Sequence, residues 1–165
     1  MKTKFKYISL FLIFISSSAF AQDFQKGLDA SDEGDFATSI RQWRPLAEQG
    51  NASAQYSLGF VYDYGLGVSE DYTEAFKWYR LAAEQGDASA QFNLGVRYEN
   101  GLGVPEDNIE AVKWYRLAAE QGFANAQFNL GVKYAKGEGV PEDIVIAYMW
   151  WNLSAAQGEV IATNT

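Results

Sequence analysis

The sequence predicts an all-α fold: a solenoid of stacked antiparallel helix pairs. Three observations carry that prediction. The decapeptide KWYRLAAEQG at 77–86 recurs unchanged at 113–122, returns degraded at 149–158 and is outlined once before, at 42–50. The glycines that close these stretches, Gly50, Gly86, Gly122 and Gly158, stand 36 residues apart. A fixed period of that size marks a stacked repeat array. Each period also carries two runs with apolar residues at helical spacing, separated by glycines, which is one helical hairpin per unit.

Residues 1–21 read as a leader. Lys2, Lys4 and Lys6 precede an apolar run at 8–15, three serines and Ala19-Phe20-Ala21, the layout of a secretory signal peptide cleaved after Ala21. The run is shorter than the roughly 20 apolar residues a membrane span needs, so no membrane anchor is expected, and no cysteine follows it for a lipid anchor. The expected location is the periplasm or the secreted space.

Beyond the leader the chain keeps 10 basic and 21 acidic residues, a net charge of about −11. Such a protein repels phosphate backbones and anionic lipid, which argues against nucleic acid as a partner. It has no cysteine and no histidine. Disulfides are therefore excluded, and the commonest general base and neutral metal ligand are missing. Neither a cofactor nor a metal is expected. An aromatic content of 16% supplies the apolar core that must stabilise the fold.

The first hairpin, 22–51, is the divergent unit expected of a cap. Its helices are predicted over 23–33 and 36–49, and Pro45 should kink the second. Three full units follow, 52–87, 88–123 and 124–159, with a short tail at 160–165. In each unit the first helix ends at a glycine (Gly65, Gly101, Gly137) suited to a left-handed turn. Asp71, Asp107 and Asp143 stand where a side-chain oxygen caps the second helix. That helix runs to Gln85, Gln121 or Gln157 and is stopped by the period-marking glycine. Gly59, Gly95 and Gly131 let helix axes approach, while Trp78, Trp114 and Trp150 fill space between turns.

The run A-x-A-Q-(F/Y)-x-L-G-x-x-Y, then G-x-G-V-P-E-D, then A-x-K-W-Y-R-L-A-A-E-Q-G, held in register three times across 52–159, resembles the Sel1-like repeat. The first hairpin resembles a looser tetratricopeptide-type unit. The resemblance implies a right-handed α/α solenoid whose concave surface is lined by the first helices. It also implies an adaptor role in protein–protein interaction, often in bacterial envelope or secreted proteins, and the chain reads as a non-catalytic module that holds a protein or peptide.

Catalytic readings find little support. The pairs Glu70-Asp71, Glu106-Asp107 and Glu142-Asp143 repeat at helix starts and read as caps. The acidic run at 29–35 lacks the ligand order of a calcium loop. The G-x-G-V runs follow no strand and lack G-K-[ST], so they are not phosphate cradles. Two alternatives to the adaptor stay open. One is an envelope enzyme or β-lactam-interacting protein, as for some cysteine-rich members of the resembled family. The other is an immunity or inhibitor protein that blocks a partner enzyme.

On a helical wheel centred on Leu94, one stripe of each first helix is left free. It comprises Ser57, Val61 and Tyr64, then Asn93, Arg97 and Asn100, then Asn129, Lys133 and Lys136. Asn93 and Asn129 resemble in position the asparagines that hold peptide backbone in tetratricopeptide clamps. The expected ligand is an extended peptide or C-terminal carboxylate whose acidic end meets Arg97, Lys133 and Lys136. A second candidate surface is the last helix. There Tyr148, Met149, Trp150 and Trp151 stand, and the lysine, arginine and glutamate of earlier copies are lost. Repeat arrays normally end on a polar face, so this edge is expected to associate with a partner or a second copy.

Overall fold

A computed structural model describes residues 21–163 of the chain. The expected leader, save Ala21, lies outside the described residues. The described chain forms eight helices and no strand. They are α1 (21–32), α2 (Phe36–Glu48), α3 (Ala52–Asp63), α4 (Tyr72–Glu84), α5 (Ala88–Asn100), α6 (Asn108–Glu120), α7 (Ala124–Lys136) and α8 (Ile144–Thr163). Each packs chiefly on its neighbours in the chain, and the result is a right-handed α/α solenoid of antiparallel pairs. The core is a row of three buried clusters along the array, as stacking of like units requires. Among the described residues no helix is long and apolar enough to cross a membrane.

The helix boundaries follow from capping. Asp71 accepts from the backbone N–H of Thr73 and Glu74, Asp107 from Ile109 and Glu110, and Asp143 from Val145 and Ile146. Asn51 and Asp87 cap α3 and α5 in the same way, whereas Phe123 at the start of α7 brings no side-chain cap. Gly101 and Gly137 end α5 and α7 in the left-handed conformation. Pro45 does not end α2, which continues to Glu48 with Pro45 on its exposed side.

The C-terminus departs from expectation. Gly158 does not stop α8, which runs on to Thr163 through most of the expected tail. At Gly50 and Gly86 the next residue caps a new helix, and at Gly122 a new helix also follows. After Gly158 the sequence Glu-Val-Ile-Ala continues a helix and brings no capping residue.

Two glycines of each unit are required by close approach. A methyl group on Gly59 or Gly95 would stand 2.6 Å from the ring of Tyr79 or Tyr115. Gly27 and Gly131 face Trp43 and Trp151 in the same manner. The second glycine of each connecting loop presses on the start of an earlier helix. A Cβ on Gly103 would fall on the Tyr72 carbonyl, and one on Gly139 on that of Asn108.

Candidate functional site

The face built from the first helices was expected to be a free stripe running from aromatic to basic. The structure corrects this at its centre. Arg97 is 4% exposed and Lys133 2%. The Arg97 guanidinium pairs with Asp63, which is itself buried, and lies over the rings of Tyr72 and Tyr79. Lys133 meets Glu99 at 2.7 Å, Glu138 at 2.9 Å and the Asn108 side-chain oxygen at 2.7 Å. Neither cation is offered to a ligand. Val61, the matching residue of the first unit, is 1% exposed.

These cations form a ladder between units. Counting from the glycine that faces the second helix (Gly27, Gly59, Gly95, Gly131), the residue four later in one first helix meets the residue two later in the next. That rule gives Asp63–Arg97 and Glu99–Lys133. Each acid is also capped by a tyrosine of its own hairpin: the Tyr79 hydroxyl donates to Asp63 and the Tyr115 hydroxyl to Glu99. A second ladder is neutral. Gln55, Gln91 and Gln127 donate to the carbonyls of Ala47, Ala83 and Ala119 at 2.9–3.2 Å. They accept from Gln85, Gln121 and Gln157 at 2.7–3.1 Å. The glutamines of A-x-A-Q and A-E-Q-G are therefore one device that ties each unit to the one before and closes its own hairpin.

Burial holds the Tyr79 and Tyr115 phenols well above the ordinary tyrosine range, and their neighbouring carboxylates add to the effect. Burial penalises the charge of Lys133, but hydrogen bonds and charges from Glu99 and Glu138 outweigh it and raise its pKa. The sign is the same for all three groups. Below about pH 10, the ordinary tyrosine value of 10.0, their contribution is fully present. Above it the unfolded chain loses protons that the folded chain keeps, so stability falls as pH rises. Denaturant titrations between pH 8 and 11 should show a decline that begins near pH 10. Tyr115→Phe should cost about 1 kcal/mol at pH 8 and make the alkaline decline shallower.

What remains open along the middle of the first-helix face is neutral. Ser57, Asn93 and Asn129 are half-buried in a row, with Asn93 beside the Tyr56 hydroxyl and Asn129 beside that of Tyr115. Asn100 is exposed and donates to the carbonyl of Val96 in its own helix. Lys136 is exposed, 3.9 Å from Glu138. Tyr64 is 62% exposed and stacks on Phe60, ring centroids 4.6 Å apart. Beside this pair lies an open cavity of about 210 Å³. It is lined by Leu28 and Ser31 of α1, Trp43 of α2, and Tyr56, Ser57, Phe60 and Val61 of α3. Sequence reasoning placed Ser57 and Val61 on one stripe but missed the cavity, because Leu28, Ser31 and Trp43 belong to the divergent hairpin. Among the described residues no group of acidic side chains is arranged to hold a metal.

The C-terminal surface divides. Tyr148 and Met149 are exposed, at 59% and 47%, with Val145 and Leu153 alongside. Trp150 and Trp151 are half-buried against the last core cluster instead of exposed. Trp151 covers Gly131 and its indole N–H donates to the Phe128 carbonyl at 3.2 Å. Tyr148 holds the position of Phe76 and Val112. Phe76 packs edge-on against Tyr98 of the next unit, at 5.4 Å, and Val112 is buried with Tyr134 in one cluster.

Comparison with known proteins agrees with this architecture. The profile of the Sel1 repeat matches residues 52–87, 88–123 and 124–159. The crystal structure of a protective antigen present in uropathogenic Escherichia coli strains, displaying an SLR fold, is 39% identical. It superposes with a TM-score of 0.82 over 91% of this chain and 33% of that one. A Sel1 repeat protein from Oxalobacter formigenes is 38% identical, with a TM-score of 0.77 over 81% of this chain and 55% of that one. The chain thus spans about a third and about half of the length of these two relatives. No curated protein matches it.

Proposed function

The chain belongs to the Sel1 repeat family, whose members in general mediate protein–protein interaction, and on that premise we propose that it is a non-catalytic adaptor that holds an extended peptide or protein segment on its concave, first-helix face. One observation carries this reading. The long charged side chains at the junctions between first helices, and the glutamines that recur in every unit, are engaged inside the array, in the Asp63–Arg97 and Glu99–Lys133 pairs and the glutamine ladder. Ser57, Asn93 and Asn129 on the same face take no part in these ladders and are left half-open and neutral, with side chains suited to peptide backbone. Since Arg97 and Lys133 are already paired, an acidic ligand end has only Lys136 of the expected cations to meet. In a chain of net charge −8, a neutral or basic segment is the better match. The leader-like residues 1–21 support action in the periplasm or secreted space.

Affinity capture from an envelope extract tests the reading. Wild-type protein should retain a partner that an Asn93→Ala/Asn129→Ala variant of equal thermal stability loses. Equal retention by both would remove this face from the function.

The exposed Tyr148 supports self-association through α8, since its position is packed on the following unit at both earlier junctions, and Met149 adds apolar surface beside it. Sedimentation should show a concentration-dependent species that Tyr148→Glu abolishes. A monomer at all concentrations would count against it.

A further inference from the structure

The cavity has a cause in the ladder. At the two later junctions between first helices, the space is filled by an acid and a cation, Asp63 with Arg97 and Glu99 with Lys133. The same register at the α1–α3 junction brings together Ser31, four residues after Gly27, and Val61, two after Gly59. Both line the cavity. Two long side chains that meet elsewhere are here replaced by two short ones. The cavity lies beside them, walled by Trp43 and Phe60, with Val61 buried at its floor.

From this we infer that the α1–α3 junction is a side-chain pocket. It anchors one large apolar residue, of phenylalanine or leucine size, from an extended peptide that carries lysine or arginine beside it. This deepens the concave-face reading and rests on it. The size fits, because a cavity of about 150 Å³ accepts a benzene ring and this one measures about 210 Å³. The chemistry fits an apolar side chain with a polar neck. Leu28, Tyr56 and Phe60, half-buried or exposed, offer apolar surface above the buried Trp43 and Val61, while Ser31 and Ser57 add hydroxyls to the lining. The flanking preference follows from charge: Asp32, next to Ser31, is exposed, and the chain carries a net charge of −8. A peptide occupant is favoured over a free small molecule because the pocket adjoins the row Ser57, Asn93, Asn129, where backbone can continue.

The test uses three labelled peptides, GSKFKSG, GSKAKSG and GSEFESG. Binding is followed by fluorescence anisotropy and by NMR of the Trp43 indole N–H and the Asn93 and Asn129 side-chain amides. GSKFKSG should bind and shift the Trp43 signal; GSKAKSG should bind at least tenfold more weakly, and GSEFESG more weakly too. Ser31→Asp/Val61→Arg, which writes the later junctions' pair into the first, should fold, with a midpoint no higher than wild type, and lose the Trp43 shift. Should that pair fail to fold, Ser57→Leu, which narrows the mouth, takes its place with the same expectation. If GSKFKSG and GSKAKSG bind equally, shifting Asn93 and Asn129 but not Trp43, the pocket is wrong while the concave-face reading stands. No binding of any peptide at millimolar concentration would overturn both. Free phenylalanine amide binding as tightly as GSKFKSG would overturn the peptide assignment in favour of a small ligand.

Discussion

Arg97→Ala is expected to destabilise the protein by about 3–5 kcal/mol, the cost of leaving a buried charge without its partner. The orphan is Asp63, 8% exposed, left with only the Tyr79 hydroxyl at 3.3 Å. The loss is larger than for surface pairs such as Arg80–Glu84, where both side chains are about half exposed and the expected effect is within about 0.5 kcal/mol. A double replacement, Asp63→Leu/Arg97→Met, should recover most of the stability, because removing both charges removes the desolvation penalty with them. Urea unfolding of the wild type, Asp63→Leu, Arg97→Met and the double variant completes the cycle. If Arg97→Ala matched an Arg80→Ala control, the ladder would be ornamental. The result also bears on function. Reversing the charge of Arg97 and Lys133 would break two junctions, so a loss of binding in such a variant would say nothing about ligand contact.

Gly103→Ala is the second large effect, with an expected loss of about 3 kcal/mol or more. Two causes add. The residue has φ +77°, where an L side chain costs roughly 1–2 kcal/mol. Its Cβ would also fall on the Tyr72 carbonyl, the first turn of the preceding unit's second helix, and backbone cannot swing aside as a side-chain tip can. Gly86→Ala separates the causes. It has φ +95° with open space around it among the described residues, so only the conformational cost should appear. Thermal denaturation of both variants should place Gly103→Ala well below Gly86→Ala. Equal midpoints would mean that the loop does not lock one unit onto the last.

The architecture was legible because it is periodic. Thirty-six-residue spacing, paired helical runs and glycine stops fix the hairpins, and Asp71, Asp107 and Asp143 cap as their position suggested. The candidate site was read less well, for a physical reason. A helical wheel sorts residues by angle around one helix, but a first helix here is covered by its own hairpin partner and by both neighbouring units. Arg97 and Lys133 lie at the correct angle for exposure and are buried by acids 34 residues earlier. A signal existed: the acid-to-cation spacing of 34 recurs in two units, and Val61 lacks an acid at the matching place in α1. Asn93, Asn129 and Tyr64 stayed accessible because no ladder partner reaches them. The α8 surface was half legible, since Tyr148 and Met149 are exposed, while the adjacent tryptophans fill space beside Gly131.

The junction pairs and the glutamine ladder build the array, and the row Ser57, Asn93, Asn129 on the first helices holds the partner. Site-specific photocrosslinking tests this most directly. A photoreactive residue is placed in turn at positions 57, 93 and 129 on the first helices, and at the exposed positions 84 and 120 on the second. Each protein is then irradiated in the presence of the captured partner. Crosslinks are expected from 57, 93 and 129 and none from 84 and 120; crosslinks confined to 84 and 120 would place the partner on the second helices instead.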